Sequence, residues 1–195
     1  AMPHVKATGS FEAGGRRAGR MLDIVAYERA DGGRRTEVAF DFRGRKGTSI
    51  EIYDGAVCKR RFSSSWDDLP LDENRDRAAH RLPLLLEALS RSPAVVGPGQ
   101  ESDVDVWRVE IPDGRGKAVF ALAQDDGRVV ALTYPGIQAA GMGTKKEVEK
   151  KSIHRAFKRV GGVVLPSDVE VLVDGAFDSR LRFETIEQIK SWDDE

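Results

Sequence analysis

The chain has 195 residues, with 31 basic against 32 acidic, 40% hydrophobic, 32% charged and one cysteine. That length supports one medium domain or two small ones, and the balanced charge leaves no basic footprint for nucleic acid. A single thiol excludes a disulfide framework and a cysteine-based zinc site within the chain, and no stretch approaches the ~20 apolar residues of a helical membrane span.

The opening "AMPHVKATGS" has no apolar signal core and passes almost at once into strand-like sequence. "VKATGSFE" begins a series continued by "MLDIVAYERA", "RRTEVAFDFRG", "GTSIEIYDG" and "AVCKRRFSS". Val38, Phe40 and Phe42 alternate along one of these runs, and Ile50 and Ile52 along another, a period of two that marks half-buried strands. Cys58 reads as a small half-buried strand residue. Ser63-Ser64-Ser65, Trp66 and Asp67-Asp68 read as a loop, with no histidine nearby to make a serine nucleophile.

One helix interrupts the strands within residues 71–91. Asp72 is its N-cap and Glu73 sits in the first turn, where a carboxylate suits the helix dipole. Leu82, Leu85, Leu86 and Leu89 recur at three- and four-residue spacing and form an apolar stripe. Pro83 kinks or splits it. "SRSPAVVGPG" is a loop, and strands resume in "DVDVWRVEIPD", "KAVFALAQ" and "RVVALTYPG".

Residues 143–162, "GTKKEVEKKSIHRAFKRVGG", are ambiguous. Thr144 to Glu147 resembles a capping box and the composition favours helix, yet Ile153, Arg155 and Phe157 also fit alternation. Gly161-Gly162, Pro166 and Asp174-Gly175 then punctuate a hairpin. Val169, Val171 and Val173 form one side of its first strand, and Leu181 and Phe183 one side of its second. Asp-Gly supplies the positive φ of a tight turn. Pro166 suits a strand start or an irregular edge.

Turns rich in Gly and Asp between short strands describe an antiparallel meander without βαβ units. Basic clusters such as Arg16-Arg17, Arg43 to Lys46 and Lys145-Lys146 are flanked by acids and read as solvated faces. His4, His80 and His154 are far apart, read as surface or boundary positions, and form no metal set. No phosphate loop, Gly-x-Ser-x-Gly or His-Glu-x-x-His occurs, so neither a cofactor nor catalysis is expected.

Four stretches resemble the LolA/LolB-like superfamily of periplasmic outer-membrane lipoprotein carriers and lipoprotein-sorting proteins. They are "VKATGSFEAGG", "IEIYDGAVCKRRF", the Leu-rich helix with "VWRVEIPDGRGKAVFALAQDDGRVVALTY", and "FKRVGGVVLPSDVEVLVDG" with "RLRFETIEQI". The resemblance runs through nearly the whole chain and implies a single domain over residues 1–195. It implies a mainly β (α+β) fold, a strongly curved antiparallel sheet forming an incomplete barrel of about eleven strands. Residues 146–160 would then be a long strand, and the charged side of the late hairpin the convex, wet face.

The family's N-terminal helix and any signal peptide would lie upstream of this chain. The implied function is non-catalytic binding of an apolar ligand, a lipid or acyl chain, by a monomer in the periplasm or cell envelope, with acylated protein or membrane-associated partners. Candidates for the apolar wall are Phe40, Phe42, Ile50, Ile52, Trp107, Val109, Ile111, Leu132, Tyr134 and Phe183, with Leu82, Leu85, Leu86 and Leu89 as the lid. The alternative is a structural or protein-interaction module with a filled interior.

Overall fold

The computed structural model describes residues 4–14, 20–29, 33–42, 45–54, 56–62, 64–69, 94–113, 115–139 and 144–190. These residues form thirteen strands: β1 (Val5–Ala13), β2 (Arg20–Glu28), β3 (Arg34–Phe42), β4 (Arg45–Tyr53), β5 (Cys58–Arg61), β6 (Trp66–Asp68), β7 (Ala94–Glu101), β8 (Val104–Asp113), β9 (Gly116–Ala123), β10 (Val129–Ala139), β11 (Lys145–Val160), β12 (Val163–Val173) and β13 (Ala176–Gln188). They make one antiparallel sheet in the order β6-β5-β4-β3-β2-β1-β13-β12-β11-β10-β9-β8-β7. Every neighbouring pair except β1 and β13 is also consecutive in sequence, so two meanders are joined by their terminal strands.

The sheet is mainly a set of neighbour-to-neighbour contacts, open at β6 and β7, and neither closed nor strongly curled. The expectation of about eleven strands in a strongly curved incomplete barrel is therefore corrected. The two additional strands are the edges. β6 is three residues long, too short to show a period, and β7 carries Gly97, Pro98 and Gly99, which read as a loop. An edge suits that composition, because Pro98 has no N–H to give to a further strand. The segment read as a helical lid, with Leu82, Leu85, Leu86 and Leu89, lies outside the described residues.

Residues 145–160 form one 16-residue strand. Its Lys and Glu residues favour helix locally, but pairing with β10 on one side and β12 on the other outweighs that weak preference. Pro166 lies within β12 rather than at its first residue, in a stretch paired with β11 only, since pairing with β13 begins at Asp168. It pairs with Phe157 beside a register shift, where a bulge accommodates the missing donor. The turns follow the sequence reading where Asp-Gly and Gly-Gly occur: Asp174 and Gly175 have φ of 49° and 78°, and Gly161 and Gly162 have 56° and 80°. Ser102 and Asp103 make the same left-handed turn between β7 and β8, at 49° and 65°, without any glycine.

Pairing carries side-chain direction from strand to strand, so the register divides the sheet into two faces. One ladder runs Cys58, Tyr53, Arg34, Glu28, Val5 across β5, β4, β3, β2 and β1. The face it belongs to, called the first face below, holds Val5, Ala7, Ile24, Ala26, Tyr53 and Cys58, all nearly inaccessible. The second face of the central strands is polar. Thr8 and Thr185 share a 2.6 Å hydroxyl hydrogen bond there, and Arg180 donates to both oxygens of Asp168 at 2.7 and 2.6 Å.

The junction of β1 and β13 contains a bulge between Thr8 and Gly9. A Cβ on Gly9 would press into the Arg182 carbonyl, a backbone atom that cannot rotate away. Gly9→Ala should lower unfolding stability by about 1–3 kcal/mol, the usual cost of overpacking, read as an earlier urea midpoint. An unchanged midpoint would show a looser junction than the register implies.

Candidate functional site

The first face is driest on β8, β9 and β10. Val109, Ile111, Ala118, Phe120, Leu132 and Tyr134 form a buried cluster, with Leu122 and Val129 against it. Pairing explains the grouping: Val109 faces Phe120, Phe120 faces Leu132, and Ile111 faces Ala118. Phe120 and Leu132 have 0% exposure, so this part of the face is filled. Trp107 continues the same row beside Leu122 but is 44% exposed, at the rim next to the edge strand.

Towards β1, β2, β3 and β13 the first face is only half covered. Phe11 and Leu22 pair, Phe183 lies opposite Gly9, and Val38 pairs with Ser49; the four apolar residues Phe11, Leu22, Val38 and Phe183 are half-buried. Phe40 lies over Gly47, where a Cβ would come within 2.6 Å of its ring. It stacks on Phe62 with centroids 4.4 Å apart and planes 11° apart. Phe42 ends β3 opposite Arg45.

Ile50 and Ile52 belong to the second face, opposite Glu37 and Arg35, because β3 and β4 pair Phe40 with Gly47. The register thus places Phe40, Trp107, Val109, Ile111, Leu132, Tyr134 and Phe183 on one face and separates those two isoleucines from them. Alternation within each strand was readable. Its phase between strands was not, since the pairing register fixes that.

Polar side chains also enter the first face. Arg34 donates to Glu28 at 2.7 Å, and Arg60 donates twice to one oxygen of Glu51, at 2.7 and 3.2 Å. On β11, Lys150 and Ser152 are buried opposite Tyr134 and Leu132. The Lys150 stem crosses Gly136, where a Cβ would sit 2.9 Å from its Cδ.

A second feature lies at the end of the sheet where the β7–β8, β9–β10 and β11–β12 turns meet. A cleft of about 510 Å³ is lined by Ser102, Val104, Asp126, Arg128, Val130, His154, Arg155, Ala156, Phe157 and Val164. Beside it, Val106, Ala121, Ala123, Val130 and Ala131 pack as a small cluster on the second face. Lys151 of β11 forms an ion pair of 2.8 Å with Glu101 at the end of β7. Four strand spacings in a flat sheet would put the two backbones about 19 Å apart, and the long Lys151 and Glu101 side chains reach across part of that gap. Strand twist closes the rest as a local bend at this end, without curling the sheet as a whole.

Bulges open the cleft: register shifts occur between Val129 and Ala131 on β10 and between His154 and Ala156 on β11. His154 is buried, not at the surface as its isolated position suggested. Its Nδ1 is 2.8 Å from the Val129 carbonyl oxygen, and its ring stands edge-on to Phe157. Burial holds its pKa below the ordinary 6.5, opposed by the hydrogen bond to Val129. Arg128 covers the other aromatic surface, 5.4 Å from the Phe157 ring centre, and is held by Asp126 at 2.7 Å and Asp125 at 3.3 Å. Sequence reading missed this site because the bulges that assemble it have no marker residue.

No cluster of three or more metal-ligating side chains occurs among the described residues. No protein-family model and no curated protein matches the chain. Solved structures do. The chain is similar to a LolA superfamily protein from Nitrosomonas europaea, with TM-score 0.64 and 12% identity over 98% of this chain and 88% of that one. A candidate outer membrane lipoprotein-sorting protein domain from Vibrio parahaemolyticus gives 0.63 and 10% over 98% and 88%. A DUF1329 family protein from Desulfovibrio piger gives 0.50 and 12% over 98% and 86%. At these identities the likeness is one of fold.

Because the folded state disfavours the charged imidazole, unfolded chains bind the His154 proton first as pH falls. The stability contributed by the neutral ring is complete above about pH 6.5 and is lost as pH falls toward the lower folded-state value. Carboxylates with lowered pKa, such as Asp168 held by Arg180, act below this window. The thermal midpoint should therefore drop between pH 7 and pH 5 in the wild type and less in His154→Phe. Parallel profiles for the two proteins would refute the assignment.

Proposed function

We propose that this chain, which shares the fold of LolA superfamily and lipoprotein-sorting proteins, is a non-catalytic cell-envelope protein that binds an apolar ligand on its first face. The ligand class is a lipid or acyl chain. The supporting observation is the half-covered apolar lane of Phe11, Leu22, Val38, Phe40 and Phe183, on the same face as the filled cluster around Phe120 and separated from it by Lys150 and Ser152 of β11. Water against that lane is costly, at roughly 25 cal/mol per Å² of apolar surface, so an acyl chain laid along it gains the burial that the protein alone leaves incomplete.

In this reading Trp107, Val109, Ile111, Leu132 and Tyr134 form the fixed end of the wall, and the stripe Leu82, Leu85, Leu86 and Leu89 supplies a lid. The protein works as a monomer in the periplasm and exchanges its ligand with acylated proteins or membrane-associated partners. The likeness in fold to a lipoprotein-sorting domain supports that setting.

A second reading is an interaction module with a filled interior, favoured by the 0% exposure of Phe120 and Leu132. A fluorescent fatty-acid probe separates the two. In the binding reading the wild type takes up the probe, and Phe40→Asp or Phe183→Asp weakens binding by at least about tenfold, the effect of some 1.4 kcal/mol. Ile52→Asp, on the opposite face, leaves it unchanged. No uptake by the wild type, or equal loss in all three variants, favours the interaction module.

A further inference from the structure

The cleft at the bulged end of β10 and β11 is distinct from the apolar lane and has a polar centre of its own. A carbonyl oxygen can only accept, so the 2.8 Å contact with Val129 requires His154 Nδ1 to carry the proton. Burial keeps the ring neutral, which leaves Nε2 with its lone pair. That nitrogen has no hydrogen-bond partner among the described residues, although His154 is only 4% exposed. That lone pair is not sealed off from solvent, and a donor on a molecule entering the cleft can replace the water it meets.

The charges around it narrow what can enter. Arg128 is committed to Asp126 and Asp125, and Arg155 donates to Glu170 at 2.9 Å. Asp126 also accepts from the Arg128 backbone N–H at 3.0 Å. Each cation thus has its own carboxylate, and the site offers no uncompensated charge to an anion. The remaining walls are apolar, from Val104, Val130 and Val164. A cleft of about 510 Å³ falls within the usual range for small ligands.

We propose that this cleft is a second binding site, for a neutral, hydroxyl-bearing amphiphile whose hydroxyl donates a hydrogen bond to His154 Nε2. The apolar part of such a molecule lies against the three valines, and its remaining hydroxyls meet Ser102 and the exposed mouth. His154 pairs with Val169 and so belongs by register to the first face, but the cleft shares no lining residue with the apolar lane, and the proposal stands whether or not an acyl chain binds there.

The test uses the full chain and n-octyl β-D-glucoside below its micellar concentration, followed by imidazole resonances in NMR. With three histidines in the chain, His154 can be resolved individually. Expected are a protonated Nδ1, a saturable shift of the His154 ring signals, and tighter binding of the glucoside than of sodium octyl sulfate. His154→Phe, which cannot accept, should lose about tenfold in affinity, whereas His154→Gln, which retains an acceptor, should stay within about threefold. Phe40→Asp should bind the glucoside as the wild type does, so a failed acyl-chain reading leaves this result unaffected. A protonated Nε2, the absence of a His154 shift at millimolar glucoside, or tighter binding of the sulfate would each overturn the proposal.

Discussion

The pairing of β1 with β13 is the constraint on which the rest of this structure depends. It is the one neighbouring pair not consecutive in sequence, and it joins six strands from the first part of the chain to seven from the last. Their ladder matches Val5 to Gln188 and Ala13 to Ser179, contacts whose loop-closure cost is large. What is gained is phase. A slip of one residue would turn Val5, Ala7 and Phe11 away from the face shared by Val169, Val171 and Phe183, and the apolar surface would be split between two sides. The bulge at Gly9 absorbs the mismatch between the two meanders, which is why that position has no room for a side chain.

Much of this was legible from residue order. Alternation located the long strands, and Asp174-Gly175 and Gly161-Gly162 marked their turns, because positive φ has few sequence solutions. Two kinds of information were missing. Strand β11 reads locally as a helix and is extended only because both of its edges are paired, a tertiary effect that propensity cannot express. The relative phase of strands was also hidden. Ile50 and Ile52 look equivalent to Phe40 in sequence, yet one hairpin register sends them to opposite sides. His154 shows the same limit at the cleft: nothing in "KKSIH" announces that a bulge on the following residue will bury the ring against Val129.

The first face is not uniform in how closely it is packed. Under β8, β9 and β10 it is filled by close-packed side chains, a rigid floor that costs stability if disturbed. Toward β1 and β3 the same face carries aromatic rings over glycine, with Phe40 on Gly47 and against the exposed Phe62. Those rings can shift at little cost because fewer neighbours lock them. The ion pairs Arg34–Glu28 and Arg60–Glu51 lie between such patches. Charges in an apolar surface are expensive to desolvate, so they add more to the definition of the register than to net stability.

An open sheet of this length must still avoid pairing with another sheet. Its two edges do so by different means. β6 is only three residues long, and its Asp67 and Asp68 place negative charge where a further strand would dock. β7 is longer, eight residues, and needs stronger protection. A register shift between Val95 and Gly97 breaks its hydrogen-bonding rhythm, Gly97 takes a φ of 149° that side chains rarely adopt, and Pro98 withholds a donor. The same residues that disguised β7 as a loop in the sequence are the ones that keep it a terminal strand. The irregularity is therefore part of the fold: a regular β7 would have been easier to recognise and easier for a second molecule to extend.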